Sequence, residues 1–483
     1  MAITRRQFIK RTGLATAGTL LGPGLFSNPF VRQAMADTIG HRYLVVLFLD
    51  GGNDGLNTVV PFQSGALRTA YDANRRTDSG GINIAQGQLD GSAIGTGGTL
   101  IGNDPGSGLR LALHPGFASL KQLYDLGKVA VIQGCGYPEY NLSHDQARTI
   151  WETANPLSLS AYSGTGWVGR HLAGEYSGSD IPGVCISDQV APEFRQTATS
   201  VLAVNRLRDF GFPYDDDHNE DQDAKRDTFQ GLYDNAVADA QPLRNYLGSS
   251  GTATLLSSES YPQAHSLYQH DRAAASQTYD DVGRSTATDL REIAKVIYAV
   301  EQGLPNVDAH FFRLSNGGYD THSDQGGYDP DNGQQHGLHA EVGDSLEAFY
   351  NDLATMSHPF DPSPVVNRVC VVVWSEFSRR IPQNDNGTDH GSQGPMFVIG
   401  GSVVGGVYGR HPDIANLDDN ENTVYSQSAG PNRSTDFRDV FGTILKHHVN
   451  MTQANILANV LPIDAGNPAK YWTVPNLDLG FLP

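Results

Sequence analysis

The chain has 483 residues, of which 39% are hydrophobic and 9% aromatic, and its formal charge is −20 at pH 7. This length allows one large α/β domain or two to three smaller ones, and the composition is typical of a globular protein. The strong negative charge argues against nucleic acid or an anionic membrane surface as the partner.

Residues 1–36 are predicted to be a twin-arginine export signal. The stretch "TRRQFIK" (4–10) is followed by the mildly apolar "GLATAGTLLGPGLF" (13–26), and "AMAD" (34–37) offers a small-x-small cleavage site after Ala36. A membrane-spanning helix is the alternative, but "GPG" (22–24) interrupts the apolar run well short of the roughly 20 residues that a span needs. We therefore predict a periplasmic or extracellular protein with no stable membrane span. Its partner during export would be the twin-arginine translocase, and removal of the signal would shift the charge to about −25.

Four apolar runs alternate with helical patterns along the rest of the chain. In order, they are "HRYLVVLFLD" (41–50), "GKVAVIQGCG" (127–136), "VDAHFFRLS" (307–315) and "RVCVVVWSEF" (368–377). Nearly continuous apolar runs of this length are typical of strands buried on both faces of a parallel sheet. The alternation predicts an α/β fold with a mostly parallel central sheet flanked by helices.

Two segments interrupt this alternation. A glycine-rich stretch at about 64–110 is predicted to form an excursion or cap over the sheet edge. A second segment, at about 190–285, is predicted to be an acidic, loop-rich insertion that also contains surface helices. Its run "FPYDDDHNEDQDAKRD" (212–227) lacks the spacing of an EF-hand, which favours a solvated linker over a calcium site. Apart from these segments, residues 37–483 are predicted to form a single domain.

Acids, histidines and serines follow each of the four predicted strands. In open α/β sheets, ligands bind at the carboxyl ends of the strands, where the loops leave the sheet. The residues expected there are Asp50 and Asp54, then Ser143 and His144, then Asp320 and His322, and finally Glu376, Asp389 and His390. Carboxylates mixed with imidazoles suit one or two divalent ions such as zinc or manganese. For each residue alone, an ordinary turn is the favoured interpretation, so the prediction of a metal site rests on the whole set.

Two short stretches carry the predicted chemistry. Asp320 and His322 are two residues apart, so their side chains share one face of an extended backbone and could reach the same ion. Ser143 is the candidate nucleophile, because a helix start stabilises an anion and a nearby metal ion would activate the hydroxyl. A plain N-cap is an alternative role for Ser143. His144 is expected either to contact a phosphate or merely to begin the helix.

Six stretches together resemble the DUF1501 family of exported proteins, which is similar to the alkaline phosphatase and sulfatase superfamily. They are "LFLDGGNDGLNTVVP", "LHPGFASLKQLYDLGKVAVIQGCGYPEYNLSHDQARTIWET", "GGYDTHSDQ", "VVVWSEFSRR", "GTDHGSQGPMFVIGGSVVGGVYG" and "STDFRDVFGTILKH". The resemblance implies an alkaline-phosphatase-like three-layer sandwich with two metal ions across a nucleophile at the place of Ser143.

The resemblance also implies a ligand set for each ion. One ion would bind Asp320, His322 and His390. The other would bind Asp50 or Asp54, Ser143 and Glu376. Relatives often lack an acid at the place of Asp50, which makes Asp54 a rival ligand, and Ser375-Glu376 stands where the superfamily has an Asp-His pair. These departures would fit a single-metal enzyme or a protein that has kept the fold and lost the activity.

The resulting hypothesis is an exported metal-dependent hydrolase of phosphate or sulfate esters, with a serine nucleophile and a small anionic ester as substrate. The alternative is a non-catalytic exported protein of the same fold. It would hold a structural metal and bind a polymer or a cell-envelope partner.

Overall fold

The computed structural model describes most of the chain after residue 39. The described residues are 40–93, 95, 97–137, 140–155, 164–176, 181–196, 198–211, 219–237, 241–268, 278–328, 333–415, 435–461, 472 and 475–483. The predicted export signal, residues 1–36, lies outside them, as does part of the acidic run (212–218).

The strands of these residues are Tyr43–Leu49 (β1), Val59–Pro61 (β2), Leu100–Asn103 (β3), Arg110–Leu113 (β4), Val129–Gly136 (β5), Gly183–Cys185 (β6), Val201–Ala203 (β7), Phe311–Asn316 (β8), Ser357–His358 (β9), Asp361–Pro364 (β10), Val369–Trp374 (β11), Ser378–Arg379 (β12), His390–Gly391 (β13), Gly394–Ile399 (β14), Gly406–Tyr408 (β15) and Thr435–Asp436 (β16).

The α-helices are Gly55–Thr58 (α1), Ala66–Asn74 (α2), Gln86–Leu89 (α3), Ala118–Asp125 (α4), His144–Thr153 (α5), Trp167–Glu175 (α6), Asn219–Val237 (α7), Pro242–Leu267 (α8), Tyr279–Val282 (α9), Ser285–Glu301 (α10), Gln334–Thr355 (α11), Phe437–Thr443 (α12) and Gln453–Asn455 (α13). Two π-helical turns, Ile444–His448 and Ile456–Val460, continue α12 and α13.

A nine-stranded sheet forms the centre of the molecule, in the order β15-β5-β14-β11-β1-β8-β6-β7, with β16 also paired to β5. Strand β1 lies in the middle and pairs in parallel with β11 on one side and β8 on the other. All seven of its residues are buried, which explains why its sequence is apolar without alternation. Strand β14 runs antiparallel to both of its neighbours, β5 and β11, so the sheet is mixed but mostly parallel.

Side chains alternate between the two faces of the sheet and build two separate cores. On one face, Val45 and Leu47 of β1 join a core that includes Ile293 of α10 and Leu346 of α11. On the other face, Leu44, Val46 and Phe48 of β1 join a core that includes Trp151 of α5 and residues of α6 and α12. Helices therefore cover both faces, and the predicted α/β fold with a mostly parallel central sheet in a three-layer arrangement is confirmed.

The glycine-rich segment at about 64–110 contains its own small sheet and core. Strands β2, β4 and β3 pair antiparallel in that order. Leu67 and Tyr71 of α2 pack with Ile84 and Leu89 in a third cluster of buried residues. The segment brings α2 close to the turn after β1, where Arg75 contacts a residue of the predicted site.

The segment at about 190–285, predicted to be loop-rich with surface helices, contains two long helices, α7 and α8. The two helices pack against each other, and Gly251 of α8 lies so close to the Tyr233 ring of α7 that an added Cβ would stand 2.2 Å from it. Apolar residues do not form a clear stripe along either helix, and several of them, including Leu232 of α7 and Leu243 of α8, are exposed. No helix of the described residues is long and apolar enough to cross a bilayer.

Candidate metal centre

The carboxyl ends of β1, β8 and β11 and the start of α5 meet at one edge of the sheet. The turn after β1 begins with Gly51 and Gly52, whose φ angles are +122° and +76°. A Cβ on Gly51 would lie 2.3 Å from the backbone nitrogen of Asp320, and one on Gly52 would lie 2.2 Å from the Phe377 ring. Only glycine fits these left-handed, crowded positions, and their tight approach lets the loops after β1, β8 and β11 pack together.

Four side chains from three loops converge at this edge: Asp320, His322, His144 and His390. The Nε2 atom of His322 lies 3.2 Å from Asp320 Oδ1 and 2.9 Å from His390 Nε2. His390 Nε2 lies 3.5 Å from the same Asp320 oxygen, and His144 Nε2 lies 3.6 Å from Asp320 Oδ2. One ligand atom from each of His144, Asp320 and His390 lies within 4.8 Å of the other two. The group could therefore hold a metal ion.

Each of the three imidazoles has an oxygen bound at its other ring nitrogen. His144 Nδ1 lies 2.8 Å from Glu376 Oε1, and His322 Nδ1 lies 3.1 Å from Asp389 Oδ1. His390 Nδ1 lies 2.7 Å from the carbonyl oxygen of Leu142. These acceptors assign the proton to Nδ1 in each neutral ring, which leaves the Nε2 lone pairs directed toward Asp320. This is the usual support of histidines that bind a metal.

The arrangement of the Nε2 atoms fits a bound cation. The Nε2 atoms of His322 and His390 stand 2.9 Å apart, although the assigned tautomers make both of them acceptors. A positive charge between them would remove the repulsion of their lone pairs. His144 Nε2 is buried and has no hydrogen-bond partner among the described residues. Ligands of a tetrahedral zinc, bound at about 2.0–2.1 Å, stand about 3.3 Å apart, close to the separations found here.

Arg379 holds the Asp320 carboxylate in its charged form. The guanidinium is fully buried and its Nη2 donates to Asp320 Oδ1 at 2.7 Å. Its other donors bind backbone oxygens, including Gly52 O at 2.6 Å and Thr388 O at 2.9 Å. Burial alone would raise the pKa of Asp320, but the hydrogen bond and charge of Arg379 outweigh it, so the pKa lies below its ordinary value.

The pKa values of His144 and His390 are shifted in opposite directions. The hydrogen bond to Glu376 raises the pKa of His144 above its ordinary value. Burial, reinforced by the charge of Arg379, lowers the pKa of His390 despite its bond to Leu142 O. His390 is thus kept in the neutral form that a metal ligand requires.

A family model described as "Protein of unknown function (DUF1501)" matches residues 41–428, which is most of the chain. The chain belongs to the DUF1501 family. No curated protein matches this DUF1501 chain. Among solved structures, the PH0037 protein from Pyrococcus horikoshii aligns at 11% identity over 75% of this chain and 86% of its own, with a TM-score of 0.23. A score this low carries no argument about fold or function.

Glu376 of the DUF1501 chain supports the histidine cluster from behind. Its side chain is fully buried, and its oxygens accept the backbone N–H groups of Gly51 at 3.0 Å and Gly52 at 3.1 Å. The Ser375 hydroxyl also donates to it, at 3.0 Å. With these donors and His144, the carboxylate acts in this structure as a positioning group for an imidazole.

We expect Glu376→Gln to weaken binding of a divalent ion by about 10–100-fold, the usual effect of losing the carboxylate behind a ligating histidine. The carboxylate has two acceptor oxygens, whereas the glutamine amide has one oxygen and one NH2 group. His144 therefore loses its fixed tautomer and orientation. Isothermal titration with zinc measures the change. Glu341→Gln, at an acid of α11 that instead binds Thr286 near the start of α10, is the matched control. Unchanged zinc affinity in Glu376→Gln would contradict this role.

Asp54, the predicted rival ligand, is engaged elsewhere in the structure. Its carboxylate is fully buried and pairs with the equally buried Arg75, with Nη1 to Oδ2 at 2.6 Å. Gln325 Nε2 donates to Oδ2 at 2.6 Å, and Oδ1 caps α1 by accepting from Leu56 N at 3.2 Å. The acid therefore ties α2 and the loop after β8 to the turn after β1.

We expect Asp54→Asn to lower the free energy of unfolding by about 3–5 kcal/mol, because it leaves the Arg75 guanidinium buried without its counter-charge. Zinc binding by the folded protein is expected to remain. Urea unfolding with and without zinc measures both effects. The double variant Asp54→Asn/Arg75→Met should recover much of the loss, and a lost zinc site in a well-folded Asp54→Asn protein would contradict the structural role.

The other predicted residues lie around the cluster. Asp50 is half-exposed at the end of β1, with an oxygen 3.7 Å from Arg148 Nη1, and burial raises its pKa despite that cation. Asp389, also half-exposed, binds His322 and lies 3.6 Å from Arg380 Nη1. Ser143 is exposed directly before α5. Among the described residues, Asp50 is not part of the group whose ligand atoms lie together around Asp320.

Sequence reasoning missed three features of this edge. His144, expected at a phosphate or at a helix start, lies in the metal-binding group. Arg379 and Arg148 were not singled out, although an arginine within a few residues of a strand end or helix start is a visible signal in the stretches "SEFSRR" and "SHDQAR".

Proposed function

We propose that this DUF1501 chain is an exported metal-dependent hydrolase of phosphate or sulfate esters, with Ser143 as its nucleophile. The observation that carries the proposal is the convergence of three imidazole Nε2 atoms and a carboxylate at the edge where α5 begins, directly after the exposed Ser143 in the chain. The resemblance of the chain to the alkaline phosphatase and sulfatase superfamily agrees with it, and the negative net charge means that an anionic ester needs local cations.

The lack of a capping role for the Ser143 side chain supports Ser143 as the nucleophile. Ser143 occupies the N-cap position of α5, yet its side chain makes no hydrogen bond to the first turn. Its own N–H is held by Asn141 Oδ1 at 2.8 Å. The preceding residue, Leu142, binds His390 through its carbonyl oxygen at 2.7 Å, and the following residue is His144. The serine is thus fixed on both sides to the cluster.

Arg148 supplies a local cation at this edge, flanked by the carboxylates of Glu152 and Asp50. It lies on α5, and its guanidinium is partly exposed while its Nε binds the buried Glu152 at 2.9 Å. The guanidinium also stacks on the Phe48 ring, 4.9 Å from its centroid. These contacts fix a side chain that points toward the edge where Asp50 lies, and a guanidinium there suits the oxygens of a phosphate or sulfate group.

The residues account for a two-step transfer. A divalent ion bound by Asp320 and the histidines would stabilise anionic oxygens and lower the pKa of a nearby hydroxyl. The Ser143 Oγ attacks phosphorus or sulfur and loses its proton to solvent, and the bond to the leaving oxygen breaks. The leaving oxygen departs as an alcohol after taking up a proton from solvent. Water then hydrolyses the seryl ester and restores the hydroxyl.

A panel of 4-nitrophenyl phosphate, bis(4-nitrophenyl) phosphate and 4-nitrophenyl sulfate tests the proposal. The purified chain is assayed as isolated, after chelation, and after return of zinc or manganese. We expect turnover of at least one ester that chelation abolishes and metal restores. An absence of turnover on every ester with either metal would count against the hydrolase.

A second candidate function follows from the same edge. Glu376 and Asp54 are both committed to other contacts, so the described residues bring together ligands for one ion there and not for two. This favours, as the alternative, a non-catalytic exported protein that keeps one structural ion and binds a polymer or a cell-envelope partner. It predicts that metal removal lowers the melting temperature while every ester of the panel stays uncleaved.

A further inference from the structure

The same Asp-x-His spacing occurs at both ends of β8. Asp320-Thr321-His322 follows the strand and belongs to the centre described above. Asp308-Ala309-His310 precedes it, so it lies at the amino edge of the sheet, the edge opposite that centre. His41 enters β1, the parallel neighbour of β8, at this second edge.

The three side chains at the amino edge lie together. His310 Nε2 stands 3.0 Å from Asp308 Oδ1, and the rings of His41 and His310 pack edge to face with centroids 4.4 Å apart. One ligand atom from each of the three residues lies within 4.8 Å of the others. We propose that His41, Asp308 and His310 bind a second divalent cation of the zinc class, independently of the carboxyl-edge centre.

The backbone around this triad is well fixed. The N–H of His310 donates to Pro182 O at 2.9 Å, and its carbonyl accepts Leu44 N at 2.9 Å. The Tyr43 ring stacks on the imidazole of His310 with centroids 5.5 Å apart. His310 has only 6% of its side chain exposed, whereas Asp308 keeps 23%. The triad therefore combines a rigid, buried ligand with an access path from solvent, which a binding site needs.

The charges nearby are compatible with a cation. Arg368 donates to His41 O at 3.2 Å, but both of its terminal nitrogens bind Glu301, at 2.7 Å each, which neutralises its charge. Two imidazoles and one carboxylate are a common zinc set, with water in the fourth position. The 3.0 Å separation of Asp308 Oδ1 and His310 Nε2 needs to widen only to about 3.3 Å for a tetrahedral ion.

A cation at this edge would stabilise the start of the exported chain. His41 lies five residues after Ala36, the predicted cleavage point. An ion shared by His41 with Asp308 and His310 would fasten the entry of β1 to the entry of β8. The expected effect is on stability, because the site lies at the far end of β8 from Ser143 and the histidine cluster.

Zinc titration of metal-free protein tests the inference in five versions of the full chain. We expect two zinc ions on the unchanged protein and one on His41→Gln. We also expect one on His322→Gln/His390→Gln, which alters the carboxyl-edge centre, and none on the combined variant. Asp308→Asn serves as the second amino-edge variant, because its amide can still accept from His310 and preserve the fold. Zinc should raise the melting temperature of His322→Gln/His390→Gln but not of the combined variant.

The outcomes separate this inference from the proposed function. If His41→Gln and Asp308→Asn bind as many zinc ions as the unchanged protein, the amino-edge site does not exist. If they lose one ion while hydrolytic turnover stays unchanged, the site exists and is independent of catalysis. If His322→Gln/His390→Gln loses all bound zinc, the only site is at the carboxyl edge and this inference is wrong, whereas the proposed centre stands.

Discussion

Ser143→Ala is expected to reduce kcat for an activated aryl phosphate or sulfate by about 10³–10⁶-fold, the range seen when a nucleophile is removed. Ser143 is exposed, does not cap α5, and is fixed between Leu142 and His144, which both contact the cluster. The measurement is steady-state turnover of the best ester of the panel.

Bound metal is the internal control for this variant. The alanine removes no ligand of the Asp320 and histidine cluster, so zinc content should equal that of the unchanged protein. Ser64→Ala, at an exposed serine before α2, is the matched control and should keep full turnover. Full activity in Ser143→Ala would show that the nucleophile is a different group.

His322→Gln/His390→Gln is expected to have a comparable effect on turnover, but by loss of the ion. The two Nε2 atoms stand 2.9 Å apart, and both lie within 3.5 Å of Asp320 Oδ1. Glutamine replaces each imidazole with a neutral amide of weaker affinity for zinc. We expect zinc affinity at this edge to fall by more than about a hundredfold, because the loss of a supporting group alone costs 10–100-fold.

The comparison with Ser143→Ala makes the two variants informative together. Ser143→Ala should lose turnover but keep the ion, whereas His322→Gln/His390→Gln should lose both turnover and the ion. His447→Gln, at a surface histidine that binds Asp478 at 2.6 Å, is the matched control and should lose neither. Tight zinc binding at the carboxyl edge in His322→Gln/His390→Gln would contradict the assigned ligands.

The central strands were predictable because burial on both faces leaves an unmistakable apolar run. The runs at 41–50 and 368–377 enclose β1 and β11, and the run at 127–136 encloses β5. Strand β14 was not predicted, although it lies between β5 and β11. Its stretch "GPMFVI" is short and begins with two residues that favour turns, and pairing with two long strands stabilises it regardless of local propensity.

The candidate site was predictable as a set of residues but not as a set of roles. Parallel strands end at one edge, so the topology brings Asp320 and His322, after β8, to the same edge as Glu376, after β11. His390 lies further along the chain in β13, which pairs with β12. Whether a side chain faces the ion or supports a ligand depends on hydrogen bonds between loops distant in sequence. Glu376 accepts two glycine N–H groups, and Asp54 meets an arginine from the glycine-rich segment. Neither contact has a local sequence signal.

The central claim is that Asp320 and the surrounding histidines bind a divalent ion at the carboxyl edge. Crystals grown with zinc and measured at the zinc absorption edge test it most directly. We expect an anomalous peak at ligand distance, about 2.0–2.1 Å, from an Asp320 oxygen and from the Nε2 atoms of the surrounding histidines His144, His322 and His390. A map with no peak there, from crystals in which these four side chains are well ordered, would contradict the account.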